Sequence, residues 1–301
     1  MSLSTFILCF AAAEIYFRYF YIESDGLGLT LSNQLWGKKY WKPINNGGFR
    51  DKNWSKKDLS GKFVIGVVGD SLVAGHGIKN ISDRFPDILS AKLGSKHSVI
   101  NLAQPGWGTK TELLALKEFP IKFDLIILAY FPNDILDTCY SLGRFPPDVI
   151  TAPSGLLKEI INSSYFLNFV YWNIFRIIRL KDDYFNWIKM QFEDPFVWST
   201  HKEDLEMICS FAHNKKIKLI AVVFPFLTNK VKSDFIINQV KSIFESHEIP
   251  VLDVSKLIVN LQEKDLVISK IDSHPSIKLH RLVGESLYDL ILTSQKTEIK
   301  K

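Results

Sequence analysis

The sequence predicts a three-layer α/β/α sandwich whose middle layer is a parallel five-stranded sheet. Two observations carry this expectation. Five short runs, dense in Val, Ile and Leu, stay apolar along most of their length, as strands covered on both faces do. Segments of helical periodicity separate them, and strand–helix alternation with right-handed crossovers puts helices on both faces of one sheet. With 301 residues, 47% hydrophobic and 23% charged, the chain is long enough for one such domain with additions.

Leu3 to Ile22 is apolar except for Glu14 and Arg18, and no charge precedes Glu14. At about 1.5 Å per residue, a helix of this length just spans the roughly 30 Å of bilayer hydrocarbon. Residues 1–24 are therefore expected to form an N-terminal transmembrane or signal-anchor helix. Glu14 and Arg18 can pair across one turn, and Tyr16, Tyr19 and Tyr21 suit an interface. No basic region and no small-x-small site mark a cleaved leader. Arg18, Lys38, Lys39 and Lys42 follow the segment instead of preceding it, which by charge alone disfavours export.

Residues 25–61 are expected to be an irregular lead-in arm, with a turn at Asn45-Asn46-Gly47-Gly48 and Arg50 anchored by an ion pair. From residue 62 to 301 the alternation holds. Strands are expected at Phe63–Val68, Ser98–Leu102, Leu125–Tyr130, Ile217–Phe224 and Val251–Val254. Helices are expected at Phe85–Leu93, Thr111–Lys117, Lys202–Ala212, Phe235–Ser246 and Ile277–Thr293. Residues from about 140 to 200 break the rhythm as an insertion. A proline-bearing loop, Gly143 to Gly155, leads into a helical region, Leu156 to Phe192. There Phe166, Phe169, Val170, Ile174, Ile177 and Ile178 recur at helical spacing as a packing face; a lid or acyl-binding surface is the sharper reading.

The net charge of +5 comes from lysines spread along the chain, so no nucleic-acid footprint is indicated. Cys9, Cys139 and Cys209 form no CxxC pair and no zinc-type spacing.

Four separated segments bring chemistry to strand ends. The first apolar run ends in Gly69-Asp70-Ser71, where open α/β sheets bind ligands and a nucleophile is useful; capping of the next turn is the plainer role of both side chains. Gly106 follows the second strand, where a glycine lets a backbone N–H approach a ligand, and Thr109 can start the next helix. Asn133 follows the third strand and offers a side-chain amide donor. Asp272-Ser273-His274-Pro275 precedes the last helix, where His274 can serve as general base and Asp272 can hold its tautomer.

In this order and placement the four segments resemble the blocks of the SGNH (GDSL-type) hydrolases. Gly48-Phe49-Arg50, Gly106-Trp107-Gly108-Thr109 and Pro250-Val251-Leu252-Asp253 look like the bacterial membrane-anchored type, and the likeness runs from about Asn45 to Leu292. The resemblance implies the SGNH fold with its flavodoxin-like sheet, and a serine esterase that needs no cofactor or metal. Its nucleophile would be Ser71, its base His274 and its orienting acid Asp272. Its oxyanion hole would comprise Ser71 N–H, Gly106 N–H and the Asn133 side chain. It implies a small-molecule, glycan or lipid ester as substrate, and a domain exported to the periplasm or cell surface. Three positions depart from the pattern. Phe131 stands where a glycine often precedes the Asn, Asp-x-His is one residue shorter than the commoner spacing, and Leu279 precedes His280, which is taken as structural.

Other classes fit less well. A nucleotide-binding domain of similar fold lacks GxGxxG and the P-loop Lys-Ser/Thr. A metal site would have to use Asp272, His274 and His280 without a further ligand cluster. A catalytically inactive SGNH-fold domain that binds envelope glycan or lipid would keep the fold but not need Ser71, Gly106, Asn133 and His274 together.

Overall fold

The computed structural model describes residues 2–147, 153–179, 183–228 and 230–299 of the chain. Its strands are β1 (Phe63–Gly69), β2 (His97–Ala103), β3 (Leu125–Tyr130), β4 (Lys218–Val223), β5 (Val251–Asp253), β6 (Val267–Ser269) and β7 (Asp272–Pro275). Its longer helices, with the four-residue turn after β1, are α1 (Leu3–Tyr19), α2 (Leu31–Tyr40), α3 (Ser71–Ala74), α4 (Phe85–Leu93), α5 (Thr109–Glu118), α6 (Gly155–Ser163), α7 (Tyr165–Arg179), α8 (Asp183–Glu193), α9 (Pro195–Lys215), α10 (Lys230–Ser246) and α11 (Ile277–Ile299).

Strands β1 to β5 form one sheet in the order β2-β1-β3-β4-β5, and every neighbouring pair is parallel. Side chains of a strand alternate between faces, and both faces are covered. On β3, Ile126, Leu128 and Tyr130 pack with Leu113 of α5, Ile208 of α9 and Ile237 of α10. Leu125, Ile127 and Ala129 pack with Phe85 and Leu89 of α4 and Val283 and Leu287 of α11. The expected three-layer sandwich is therefore the observed architecture, and the fully apolar character of the strands follows from it.

Where boundaries differ, local chemistry decides. α9 begins at Pro195, not Lys202, because Asp194 accepts the N–H groups of Phe196 and Val197 and Pro195 starts the helix without needing a donor. The helical insertion is three helices, α6 to α8, and residues 148–152 of its entry loop lie outside those described. The antiparallel pair β6–β7 was not expected from sequence; it holds Asp272 and His274 in a strand.

The N-terminal segment needs correction. α1 ends at Tyr19 with 17 residues, and among the described residues no helix is long and apolar enough to cross a membrane. A transmembrane span is not supported. Glu14 does pair with Arg18, at 2.8 Å, but it also caps α7 from outside. It accepts the N–H groups of Tyr165 and Phe166 and the Ser164 hydroxyl. Although partial burial raises the pKa of Glu14, these donors outweigh it and bring the value down to about 2. Phe17 stacks on Phe169 at 4.2 Å and meets Phe166 at 5.6 Å, so part of the insertion's apolar stripe is a packing face for α1. Ile174 is exposed, and the side chains of Ile177 and Ile178 lie outside the described ones.

The Arg50 ion pair is a second correction. Among the described residues Arg50 pairs with no acid. Its buried guanidinium donates to the carbonyls of Tyr40, Ala74, Gly75 and Ile78 and lies 4.9 Å from the Trp41 ring. Burial, with Arg84 nearby, lowers its pKa to about 10. Carbonyl oxygens replace a counter-ion because the loop after α3 turns several of them inward.

Glu14→Ala removes the external cap of α7. It is expected to cost about 1 kcal/mol, the usual worth of a helix cap, read as a lower unfolding midpoint and faster proteolysis within residues 155–193; an unchanged midpoint would refute this role.

Candidate active site

The sheet brings the four predicted segments to one edge. Ser71 opens α3 at the end of β1, and Asp70 caps that turn by accepting the Leu72 N–H at 2.8 Å. The Nε2 of His274 lies 2.9 Å from Ser71 Oγ, although 203 positions separate the two residues. The Nδ1 of the same ring lies 2.7 Å from Asp272 Oδ1, which also accepts the His274 backbone N–H at 3.0 Å. Ser71, His274 and Asp272 thus form one hydrogen-bonded chain. The short Asp-x-His spacing suffices because an extended strand lets the carboxylate turn back onto its own neighbour's backbone and ring.

The three predicted oxyanion donors are also at this edge. The N–H of Ser71 belongs to the first residue of α3 and so has no intrahelical acceptor. Gly106 sits in a left-handed turn with φ 81°. Asn133 Nδ2 donates to Asp70 Oδ2 at 3.2 Å, which orients the amide and leaves its second N–H for a ligand. Phe131, at the departure from the family pattern, packs edge-on against Phe226, which meets Phe185 of α8. The insertion therefore contributes to the wall beside Asn133.

Burial would push the Asp272 carboxyl up, but the His274 imidazole and the Ser24 hydroxyl hold it well below the usual carboxylate range. Burial alone would lower His274; the Asp272 charge and hydrogen bond outweigh it and raise its pKa above the ordinary 6.5. Burial pushes Asp134 and Glu112 well up, each helped by the other acids nearby.

Several contributors were not read from sequence. Gly26, in the lead-in arm, has φ 75°, and a Cβ there would lie 2.8 Å from Asp272 Oδ1. Gly77 has φ 81°, and a Cβ there would lie 2.9 Å from Asp272 Oδ2. Both glycines let backbone close over the carboxylate. Between Gly75 and Gly77 stands His76, whose ring lies 4.6 Å from that of His274. The Gly-His-Gly triplet was the available signal, but only the fold shows what it touches.

Among the described residues the rival set of Asp272, His274 and His280 is not brought together; buried His280 packs away from them, its Nδ1 accepting the Phe85 N–H. His76 takes its place near Asp272 and His274, with ligand atoms of the three within 4.8 Å of one another.

No protein-family model matches the chain, and no curated protein matches it either. Among solved structures it is similar to a lipolytic protein of the G-D-S-L family from Desulfitobacterium hafniense DCB-2, at 14% identity over 76% of this chain and 99% of that one, with a TM-score of 0.49. It is also similar to a lipase/acylhydrolase from Enterococcus faecalis, at 17% identity over 76% and 94%, TM-score 0.48. A third is a carbohydrate acetylesterase family member from Sinorhizobium meliloti, at 14% identity over 76% and 96%, TM-score 0.44. Similarity at this level leaves the chemistry to be argued from the site.

His274 must be neutral to accept a proton, so turnover should fall as pH drops through its raised pKa, an acid limb above 6.5. Asp272→Asn removes the charge that raises it. The limb should move to lower pH while kcat falls on the order of 1,000-fold or more. An unmoved limb in a pH–rate profile would show that Asp272 does not set this pKa.

Proposed function

We propose that the protein is a serine ester hydrolase of the SGNH type. The observation that carries this reading is the continuous chain from Ser71 Oγ through His274 to Asp272. Ser71 Oγ attacks the acyl carbon while its proton passes to His274 Nε2. The carbonyl oxygen becomes an oxyanion facing the N–H groups of Ser71 and Gly106 and the free amide N–H of Asn133. Collapse breaks the bond to the alcohol, which leaves with the proton from His274. Water then repeats the sequence on the acyl-enzyme, with His274 again base and then acid, and releases the acid. Another alcohol in place of water would give acyl transfer with the same residues. Losing one oxyanion donor typically costs on the order of 100-fold or more. The assembled triad weighs against an inactive binding domain.

The substrate we propose is an acylated glycan or lipid. A groove of about 470 Å³, walled by Phe49, Trp54, Trp107 and Phe119, runs along α5; Trp107 is the chain neighbour of Gly106, while Ser71, Asn133 and His274 do not line it. It supports a substrate that extends beyond the ester. An association with lipid is part of the proposal. α1 exposes Leu3 and Leu8, its C-cap Phe20 is exposed too, and α6 exposes Leu156; both helices pack on α7. Exposed apolar side chains of this size favour an interface over water.

In the full-length chain, a short-chain chromogenic ester should be hydrolysed, and Ser71→Ala and His274→Ala should each lower kcat/KM by about 1,000-fold or more, with unchanged circular dichroism. Turnover that survives Ser71→Ala sinks the assignment. The full chain is needed because the Ser24–Gly26 segment covers Asp272.

Co-sedimentation with phospholipid vesicles should be lost when Leu8 and Phe20 are both changed to Glu; equal binding by both proteins would remove the lipid contact from the proposal.

A further inference from the structure

The imidazole of His76 has no place in the triad, yet it is built into the site. Its ring lies over that of His274, with centroids 4.6 Å apart and planes tilted by 32°. Trp36 at 5.2 Å and Trp41 at 5.8 Å pack the ring further. Arg50 holds the same loop by donating to the carbonyls on either side of His76, those of Ala74, Gly75 and Ile78. His76 Nε2 is buried without a hydrogen-bond partner among the described residues. A polar ring placed where its nitrogen goes unused is there for its face.

His274 has to keep one nitrogen on Asp272 and the other on Ser71 while it changes charge. Its hydrogen bonds leave it free to rock about the line joining the two nitrogens. A ring laid against its face blocks that motion, and the electron-rich face of a neutral aromatic favours a cation formed beside it. His76 stays neutral for this purpose, because burial, with His274 nearby, lowers its pKa to about 4.

We propose that His76 is a positioning residue for the reaction, a shelf that holds the His274 ring between Asp272 and Ser71 and supports the imidazolium formed when Ser71 gives up its proton. The proposal rests on the hydrolase reading above. The rival use of the same side chains is a divalent cation held by His76, Asp272 and His274. The ring planes are tilted by only 32° at 4.6 Å, whereas ligation needs their in-plane lone pairs to converge, and both His274 nitrogens are already engaged, Nδ1 by Asp272 Oδ1 and Nε2 by Ser71 Oγ.

The test compares His76→Ala and His76→Phe with the parent in the full-length chain. Three quantities are read: kcat and KM for a short-chain ester, the rate of Ser71 labelling by a fluorophosphonate, and the downfield proton resonance of His274 Nδ1–H, assigned by its absence in His274→Ala. His76→Ala should lower kcat by about tenfold or more with KM within about twofold, slow labelling in parallel, and broaden the resonance. His76→Phe keeps a ring face and should recover most of the rate and a sharp resonance. An unchanged kcat and resonance in His76→Ala overturns the proposal. So does an equal loss in both variants, or a parent activity that EDTA abolishes and zinc restores. A parent that fails to label at Ser71 defeats the hydrolase reading alone, because the resonance needs no substrate and still decides for or against His76.

Discussion

A carboxylate out of contact with water is the constraint on which this site depends. Asp272 is fully buried, and a buried charge is tolerated only where donors surround it. The donors come from its own strand, through the backbone and ring of His274, both on Oδ1, while the Ser24 hydroxyl between α1 and α2 helps hold its pKa down. Three chain segments must therefore approach one side chain at once. Gly26 and Gly77 make that approach feasible, since a Cβ at either would overlap the carboxylate oxygens. The same charge raises the basicity of His274, so the cost of burying Asp272 and the raised pKa of His274 have one origin.

Around this centre, buried cations replace water as partners for loop carbonyls. Arg50 and Arg84 are both buried and share the carbonyl of Ala74, while Arg84 also pairs with Asp87 at 2.8 Å. They stiffen the turn that follows Ser71 and hence the placement of His76. The N-terminal region is part of this scaffold. α1 caps and covers α7, α8 reaches the aromatic wall beside Asn133, and the arm between α1 and α2 closes over Asp272. The insertion and the N-terminus thus frame the site from two sides.

The strands of the sheet were legible because each is a short apolar run with polar or turn-forming neighbours, and β3 was bounded to the residue. The candidate site was legible because Ser71, Gly106, Asn133 and Asp272–His274 each follow a strand or precede the last helix. α1 was misread as a membrane span because its composition is apolar on all sides, while the role of Glu14 as a cap for a helix about 150 residues away has no local signal. Arg50 was misread for a related reason. A charged residue in an arm suggests an acidic partner, and its carbonyl partners become available only once the loop after α3 is folded.

Sequence alone determined the order of strands and helices, the burial of the sheet on both faces and the types of residue at its active edge. These depend on periodicity and on neighbours within a few positions, which the chain displays directly. Only the tertiary structure decided that His76 faces His274, that Ser24 and Gly26 close over Asp272, and that a trio of insertion helices packs on α1 at one end and beside Asn133 at the other. Those contacts join segments distant in the chain, and their energy comes from excluding water between surfaces that do not exist until the fold brings them together.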